Sequence, residues 1–338
     1  MTGDCLACNV LFYAVLAFIS AIPIYYLRIF IKGKQFEEDV SLEGKVTIVS
    51  GATSGIGKRI TEDFNKRGAK VYMICRTKEH GDQAVDELVA DGCERSRFRV
   101  RVVDMEDLES VRKFAHMFRD EEPLLDILVN NAGILGNGTV ELTRDGHEKC
   151  WQTNYLGHFM LTEFLIAQLR QAKHGARIVN VSSKNYTYST ANEIKEQYIN
   201  KPVKDSRMAL YNRSKFAQVM HARQLTRELA EKNIHNISIN ACHPGSVHTN
   251  ILSTTPIAFV GTYLMPLFFY FFKTATDGAQ CPIHVALSTK IDGVSGKYFH
   301  ECEVQEFTSE ITDHDEICKD LYDRSKEQIK RKNNEGDN

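Results

Sequence analysis

From residue 45 onward, short apolar runs rich in β-branched residues alternate with longer segments in which apolar residues recur at helical spacing. The runs are typical of strands buried on both faces of a parallel sheet, and the longer segments are typical of amphipathic helices. The alternation predicts an α/β fold with a doubly wound, mostly parallel sheet and a binding site at the carboxyl ends of its strands. The predicted strands are 45–50, 70–75, 98–103, 126–130, 176–182 and 236–242, and the predicted helices are 56–67, 79–91, 107–119, 146–172, 212–232 and 276–288.

The amino terminus has a different pattern, because residues 10–27 contain no charged side chain and are followed by Arg28, Lys32 and Lys34. An uncharged run of this length can cross the hydrocarbon core of a bilayer, so we predict a transmembrane helix at about 10–31. The basic flank places the rest of the chain on the cytosolic side, and an endoplasmic reticulum membrane is the expected location. A cleaved signal peptide would need a basic leader and a small-residue cleavage site, which the sequence lacks, and a buried core helix is the other alternative.

Composition and charge exclude several classes of protein. The formal net charge of -2 over 338 residues gives no electrostatic reason to expect a nucleic acid as a partner. The nine cysteines are odd in number and scattered, which argues against a disulfide framework and for a reducing compartment. Cys5 and Cys8 form a lone CxxC, which cannot by itself complete a zinc site. We therefore expect a membrane anchor and juxtamembrane segment at 1–41, a single domain at 42–310 and a charged, solvated tail at 311–338.

A glycine-rich turn follows the first predicted strand and opens a helix. Its sequence, "VSGATSGIG", carries Gly51, Gly55 and Gly57. Glycines allow a sharp turn and a close approach of the backbone to a pyrophosphate, whose charge is favoured at a helix amino terminus. A turn of this kind after the first strand predicts a Rossmann-type dinucleotide site, although many strand–helix turns use glycine only to fit.

The end of the second predicted strand indicates which dinucleotide binds. An acidic residue there would accept hydrogen bonds from the adenine ribose and favour NAD, whereas this chain has Arg76. An arginine fork can hold a 2′-phosphate, so we predict NADP(H) as the cofactor. The alternative is a surface arginine with a solvated head.

The stretch "YNRSK" at 211–215 puts a tyrosine and a lysine one helical turn apart, on the same face of a helix. Tyrosine has an unperturbed pKa of about 10, and a neighbouring cation favours the phenolate and lowers that pKa. The pair is therefore a candidate acid–base device, although such pairs are also common on surface helices.

Seven motifs in order resemble the short-chain dehydrogenase/reductase family over nearly all of residues 42–300. The phrases "KTATDGAQ" and "VSGKYF", with the long insertion before Tyr211, are similar to the membrane-associated, retinol dehydrogenase-like branch. The seven motifs are "GATSGIG" 51–57, Asp104 after the third strand, "NNAG" 130–133, "TNYLGHF" 153–159, "VNVSS" 179–183, "YNRSK" 211–215 and "HPGSVHT" 243–249.

The resemblance implies roles for individual residues. Tyr211 would donate or accept the proton, and Lys215 would lower its pKa and hold the nicotinamide ribose. Ser183 would bind the substrate oxygen, and Asn154 would hold a water near Lys215 and complete the catalytic tetrad. The implied cofactor pocket consists of Gly51, Ser54, Gly55, Ile56, Gly57, Arg76, Asp104, Asn131, Ala132, Gly133, Tyr211, Lys215, Pro244, Val247 and Thr249.

An apolar run at 256–272 falls where this family has its substrate loop. It predicts a pocket for a lipophilic substrate or a surface that dips into the bilayer, and a buried loop is the plainer alternative. With NADP(H) in a reducing compartment, reduction of retinal to retinol is the leading expectation. Steroids and fatty aldehydes are alternative substrates, and a non-catalytic scaffold at a membrane is an alternative function. We also expect a homodimer.

Overall fold

The computed structural model describes residues 6–195, 199, 206–247 and 272–330, and its centre is one eight-stranded sheet. The strands are β1 (Val46–Ser50), β2 (Lys70–Cys75), β3 (Phe98–Val102), β4 (Ile127–Asn130), β5 (Ala176–Val181), β6 (Ile237–His243), β7 (Tyr298–His300) and β8 (Glu303–Gln305). They lie in the order β3-β2-β1-β4-β5-β6-β7-β8, and all neighbours are parallel except the pair β7–β8. The predicted doubly wound, mostly parallel α/β fold is confirmed.

Ten helices surround the sheet in the described part of the chain. A π-helical turn at Gln152–Leu156 joins the fifth helix to the sixth. The fourth helix begins after Asp107, whose carboxylate accepts a hydrogen bond from the Glu109 N–H, as expected of a helix cap. The helices are α1 (Leu6–Lys32), α2 (Gly55–Lys66), α3 (Lys78–Ala90), α4 (Leu108–Glu121), α5 (Lys149–Trp151), α6 (Gly157–Arg170), α7 (Ser206–Glu231), α8 (Ala275–Leu287), α9 (Ser309–Thr312) and α10 (Asp315–Lys330).

Apolar side chains cover both faces of the sheet. On one face α2, α3 and α8 pack through residues such as Phe64, Leu88 and Ile283. On the other face α4, α6, α7 and α10 pack through residues such as Phe159 and Phe216. Because both faces are covered, every residue of β1 is buried, which explains why the strand is nearly continuous in apolar character.

Helix α1 contains the apolar segment near the amino terminus. It exposes large apolar side chains, among them Phe18 at 71% and Phe30 at 83%. Within the described residues, however, no helix has both the length and the apolar character required to cross a membrane. The predicted helix is present, but the expected transmembrane span is not found.

The end of α1 and the chain that follows it are attached to the folded domain. Arg28 pairs with the buried carboxylate of Asp277 at 2.5 Å. The backbone N–H of Lys34 donates to one carboxylate oxygen of Glu301 at 2.9 Å, and the other oxygen pairs with Lys273 at 2.5 Å. These contacts hold the end of α1 against α8 and the turn between β7 and β8.

The carboxyl-terminal segment is also part of the fold. The expectation of a solvated tail is wrong for Asp315–Lys330, because these residues form α10 and bury one face of it against α6 and α7. The Tyr322 hydroxyl donates to Glu163 of α6 at 2.7 Å. The predicted domain end at residue 310 is therefore too early, and residues 331–338 lie outside the described part of the chain. The buried face consists of Cys318, Leu321, Tyr322, Ser325 and Ile329.

The packing of α10 predicts a loss of stability when Leu321 is truncated. Leu321 is buried in the main apolar cluster, so Leu321→Ala should lower the free energy of unfolding by about 2–5 kcal/mol through lost contacts and a cavity. Denaturant unfolding of the full chain measures the change. Glu327→Ala, at an exposed position of the same helix, should change it by no more than about 0.5 kcal/mol. Equal effects of the two substitutions would contradict the packing described for α10.

Candidate functional site

A cleft of about 650 Å³ opens at the carboxyl ends of the parallel strands. Tyr211 and Lys215 of α7 form part of one wall. The carboxyl edge of a doubly wound sheet is where such folds bind ligands, so the cleft lies where the sequence predicts the site. The loops that follow the first six strands contribute, in order, Gly51, Arg76, Asp104, Gly133, Ser182 and Pro244.

The glycine-rich turn forms one end of this cleft. Gly51 and Gly55 have φ values of +66° and +54°, which residues with a β-carbon rarely adopt. A β-carbon on Gly57 would lie 2.2 Å from the Gly51 carbonyl oxygen and 2.4 Å from Asn131 Nδ2. The glycines therefore allow α2 to pack directly beneath the turn and leave its amino terminus open to the cleft.

The amino terminus of α2 and the end of β2 offer groups for a nucleotide phosphate. Ser54 precedes α2, lines the cleft and makes no side-chain capping bond to the helix. The exposed Arg76 lines the same cleft directly after β2. Asp104 also lines it, and its Oδ1 accepts the backbone N–H of Glu106 at 2.9 Å. A helix amino terminus, a hydroxyl, a guanidinium and a carboxylate together fit the phosphates and ribose of a dinucleotide.

Tyr211, Lys215 and Ser183 meet beside the cleft. The Tyr211 hydroxyl is hydrogen-bonded to the Ser183 side chain. Lys215 Nζ lies 5.4 Å from the centre of the Tyr211 ring. The neighbouring Ser182 instead donates from Oγ to the Lys215 backbone carbonyl at 2.8 Å, so its hydroxyl holds α7 against β5. Of the two serines, Ser183 is the one in contact with the tyrosine.

The pKa values of this group differ from the expectation. Burial raises the pKa of Tyr211 to about 12, and the hydrogen bond from Ser183 opposes this only in part. Burial also lowers the pKa of the Lys215 ammonium to about 8. The expectation that Lys215 brings the pKa of Tyr211 below its usual value is wrong for this arrangement, because removal of the phenol from water is the larger effect.

Asn154 lies behind the wall of the cleft, fully buried in the π-helical turn. Its side chain exchanges two hydrogen bonds with the backbone of Ile134, at 2.8 and 2.9 Å, and donates to Ser214 Oγ at 2.9 Å. Its backbone carbonyl accepts from Gln218 Nε2 at 2.7 Å and from His158 Nδ1 at 2.9 Å. Asn154 therefore ties the loop after β4 to α7, which carries Tyr211.

Sequence reasoning missed two polar residues behind the wall, His158 and Gln218. Lys215 Nζ donates to Gln218 Oε1 at 3.0 Å. His158 Nε2 lies 2.8 Å from Ser50 Oγ, and burial lowers the pKa of His158 to about 4, so the ring is neutral. Their spacing from the predicted residues could have indicated them. His158 follows Asn154 by one helical turn, and Gln218 follows Lys215 by three residues on the same helix.

The other predicted residues fall into three groups. Gly57 lies beneath the turn, and Val247 is buried against Gly278. Thr249 and residues 256–271 of the predicted substrate loop lie outside the described residues. The predicted cofactor residues that line the cleft are Gly51, Ser54, Gly55, Ile56, Arg76, Asp104, Asn131, Ala132, Gly133, Tyr211, Lys215 and Pro244.

Comparison with known proteins agrees with this geometry. The family model for short chain dehydrogenase matches residues 45–195. Retinol dehydrogenase 14 from Mus musculus is 34% identical over 294 residues, which cover 84% of this chain and 85% of the relative. The chain belongs to the short-chain dehydrogenase family. Two further relatives of this short-chain dehydrogenase are retinol dehydrogenase 12 from Homo sapiens, 35% identical over 82% of this chain and 84% of the relative, and short-chain dehydrogenase TIC 32 B, chloroplastic, from Brassica napus, 35% identical over 79% and 84%.

Solved structures share the fold of this chain. A short chain dehydrogenase from Burkholderia cenocepacia, solved in complex with NADP, has a TM-score of 0.58 and 26% identity, covering 76% of this chain and 96% of that one. An uncharacterized protein from Mycobacterium Paratuberculosis has a TM-score of 0.67 and 25% identity, covering 86% and 95%. As a member of this family, the protein is an oxidoreductase that acts on alcohol donors with a nicotinamide cofactor.

Proposed function

We propose that this short-chain dehydrogenase interconverts a lipophilic alcohol and its aldehyde or ketone with NADP(H), at a membrane. A retinol- or retinal-like substrate is the first choice, and steroids and fatty aldehydes are the alternatives. The observation that carries the proposal is the hydrogen bond between Tyr211 and Ser183, beside Lys215, at a cleft built on a glycine-rich turn. Similarity to retinol dehydrogenases 12 and 14 supports the choice of substrate.

The side chains supply the proton and the polar contacts of the reaction. When bound, the nicotinamide supplies or accepts the hydride. In the reductive direction the carbonyl oxygen gains negative charge and must receive a proton. Tyr211 is protonated at neutral pH, because its pKa is about 12, and donates that proton, while the Ser183 hydroxyl donates a hydrogen bond to the same oxygen. Oxidation of the alcohol runs through the same contacts in reverse.

The choice of NADP(H) rests on Arg76. Its exposed guanidinium lines the cleft after β2, where a planar fork of N–H donors suits a 2′-phosphate. The turn at Gly51 and Gly55 and the open amino terminus of α2 would hold the pyrophosphate.

Attachment to a membrane is supported by the surface of α1. Several large apolar side chains of this helix are more than half exposed, including Phe12, Tyr25 and Phe30. An apolar surface of this extent favours contact with lipid. The exposed Lys32 ends the helix, where its ammonium would meet the lipid headgroups.

A panel of carbonyl substrates tests the proposal. Membranes carrying the full chain are incubated with retinal, a steroid ketone, a fatty aldehyde and a small water-soluble aldehyde, each with NADPH and with NADH. We expect turnover of at least one apolar substrate, with NADPH preferred. Turnover of the small aldehyde alone would overturn the substrate class, and no turnover of any substrate would favour a non-catalytic scaffold.

Arg76→Asp tests the cofactor assignment. Loss of a charged hydrogen bond to the phosphate, with a new like charge in its place, should weaken NADPH binding by about ten- to hundredfold. NADH binding should be unchanged or stronger, as measured by fluorescence titration of each dinucleotide. Arg95→Asp, at an exposed arginine not among the cleft residues, is the matched control. Equal losses for both dinucleotides would mean that Arg76 does not contact the phosphate.

The raised pKa of Tyr211 predicts a pH dependence for the cofactor-free protein. Because this pKa lies at about 12, above the usual value for tyrosine, the phenol stays neutral through neutral and mildly alkaline pH. The ultraviolet difference between the wild type and Tyr211→Phe should therefore show no tyrosinate signal from this residue until strongly alkaline pH. A tyrosinate signal that appears near neutral pH would show that Lys215 outweighs burial.

A further inference from the structure

The carboxamide of Gln218 lies between two members of the tetrad. Its Nε2 donates to the Asn154 backbone carbonyl at 2.7 Å, and its Oε1 accepts from Lys215 Nζ at 3.0 Å. The side chain is buried, with 1% of the residue exposed, and the Gln218 backbone carbonyl accepts from Asn180 Nδ2 at 3.0 Å. One amide group thus connects the Asn154 carbonyl to the Lys215 ammonium directly.

Two side-chain donors of the protein already contact the Asn154 carbonyl. A carbonyl oxygen has two lone pairs, and here it accepts from Gln218 and from His158 Nδ1 at 2.9 Å. Because a carbonyl can only accept, His158 Nδ1 carries the proton. His158 Nε2 is then the acceptor for the Ser50 hydroxyl at 2.8 Å. These two contacts compete with the water expected from the sequence at Asn154 near Lys215.

The Lys215 ammonium is held by the same arrangement. Two of its three protons are used within the protein, in bonds to Gln218 Oε1 and to the Val181 backbone carbonyl at 2.9 Å. The third remains for the cleft, which Lys215 lines. Gln218 and Val181 therefore determine which way the single remaining N–H points.

We infer that Gln218 is a positioning residue that replaces the water otherwise needed between Asn154 and Lys215, and that it sets the orientation and the basicity of the Lys215 amine. A carboxamide is neutral, so it orients the ammonium without adding the negative charge that would stabilise its protonated form. Unlike a water molecule, a carboxamide does not relay protons to Lys215. In the proposed reaction, the protons that Tyr211 receives then enter through the cleft.

The surroundings of Lys215 make its basicity a sensitive measure of Gln218. Burial is the main cause that lowers the pKa of Lys215 to about 8. None of the described groups that face it is a carboxylate. No neighbouring carboxylate among them would therefore mask the effect of a substitution at position 218 on the pKa of Lys215. The titratable groups that face Lys215 are Tyr211 on its own helix, Cys150 on α5, His158 on α6, and Cys242 and His243 on β6.

Titration of Lys215 by NMR tests the inference without substrate or cofactor. The full chain is labelled with isotopic lysine, and the Lys215 signal is identified by its loss in Lys215→Met. Gln218→Glu puts a carboxylate beside the ammonium and should raise the pKa of Lys215 by about one to three units. Gln218→Leu removes an acceptor at nearly constant volume and should lower it by about one unit.

Gln224→Leu is the matched control. Gln224 is a buried glutamine on the same helix, and its amide donates to Glu228 at 3.0 Å, away from the tetrad. The pKa of Lys215 should be unchanged in this variant. An unchanged pKa of Lys215 in both Gln218 variants would overturn the inference, as would an equal change in Gln224→Leu.

A kinetic measurement connects the inference to the proposed function, on which it rests for its role in the reaction. The alkaline limb of the pH profile of kcat/KM should move in the same direction as the pKa of Lys215 in each Gln218 variant. A change in kcat/KM that is uniform across pH would mean that Gln218 contributes only to packing. If the wild type turns over no substrate, the proposed function fails, whereas the NMR titration still decides the role of Gln218.

Discussion

Replacing Tyr211 with phenylalanine should lower turnover of every substrate by about two to four orders of magnitude, the usual contribution of a positioned acid or base. The substitution removes only the hydroxyl that is bonded to Ser183 and keeps the ring 5.4 Å from Lys215 Nζ. The fold and the cofactor site should therefore be preserved. Initial rates of carbonyl reduction at saturating NADPH measure the loss, and NADPH titration and thermal unfolding check that binding and folding are retained.

Tyr188→Phe is the matched control for this experiment. Tyr188 ends the 3-10 turn that follows Ser183, and its side chain is 73% exposed. Removing its hydroxyl should leave the rate within about twofold of the wild type, since surface changes of this kind have small effects. If Tyr211→Phe retains most of the wild-type rate while binding NADPH normally, Tyr211 is not the proton donor.

Adding one methyl group at Gly57 should weaken NADPH binding by about ten- to hundredfold, because overpacking of this kind costs about 1–3 kcal/mol. The β-carbon of Gly57→Ala would lie 2.2 Å from the Gly51 carbonyl oxygen and 2.4 Å from Asn131 Nδ2. The Gly51 oxygen belongs to the backbone, and Gly51 has a left-handed conformation with φ at +66°. The turn itself must therefore move to relieve the contact. Isothermal titration of the full chain with NADPH measures the effect.

Gly92→Ala is the control that separates the steric contact at Gly57 from the backbone strain that alanine has at a positive φ. Gly92 also has a positive φ, at +91°, so alanine there is strained, but a β-carbon would meet nothing within 4 Å. We expect Gly92→Ala to lower the unfolding temperature slightly and to leave NADPH affinity unchanged. An NADPH affinity that is unaffected by Gly57→Ala would show that the turn does not hold the dinucleotide.

The sheet could be predicted from the sequence because its strands are buried on both faces and read as apolar runs. Each of the six predicted strands agrees with the structure within one residue at either end. Strands β7 and β8 were missed because three residues are too few to show a period. Helix α10 was missed for another reason. Its many charged residues concealed an apolar face, although Cys318, Leu321, Tyr322 and Ile329 recur at helical spacing.

In the site, contacts between residues close in sequence could be predicted, whereas contacts between distant positions could not. The proximity of Tyr211 and Lys215 could be predicted, because residues four positions apart on a helix lie on the same face. The link from Gln218 to Asn154 joins positions 64 residues apart, and no local pattern encodes it. The direction in which the pKa of Tyr211 shifts could not be predicted from the sequence either, since it depends on how much protein packs around the phenol.

The two hydrogen-bonded oxygens of Glu301 have a mechanical consequence. One accepts from the Lys34 backbone just after α1, and the other pairs with Lys273, whose own N–H donates to the Ser246 carbonyl at 3.0 Å. Ser246 stands two residues from Pro244 at the cleft. A force applied to the amino-terminal helix would therefore reach the rim of the dinucleotide site in part through the Glu301 carboxylate, beside the Arg28–Asp277 pair.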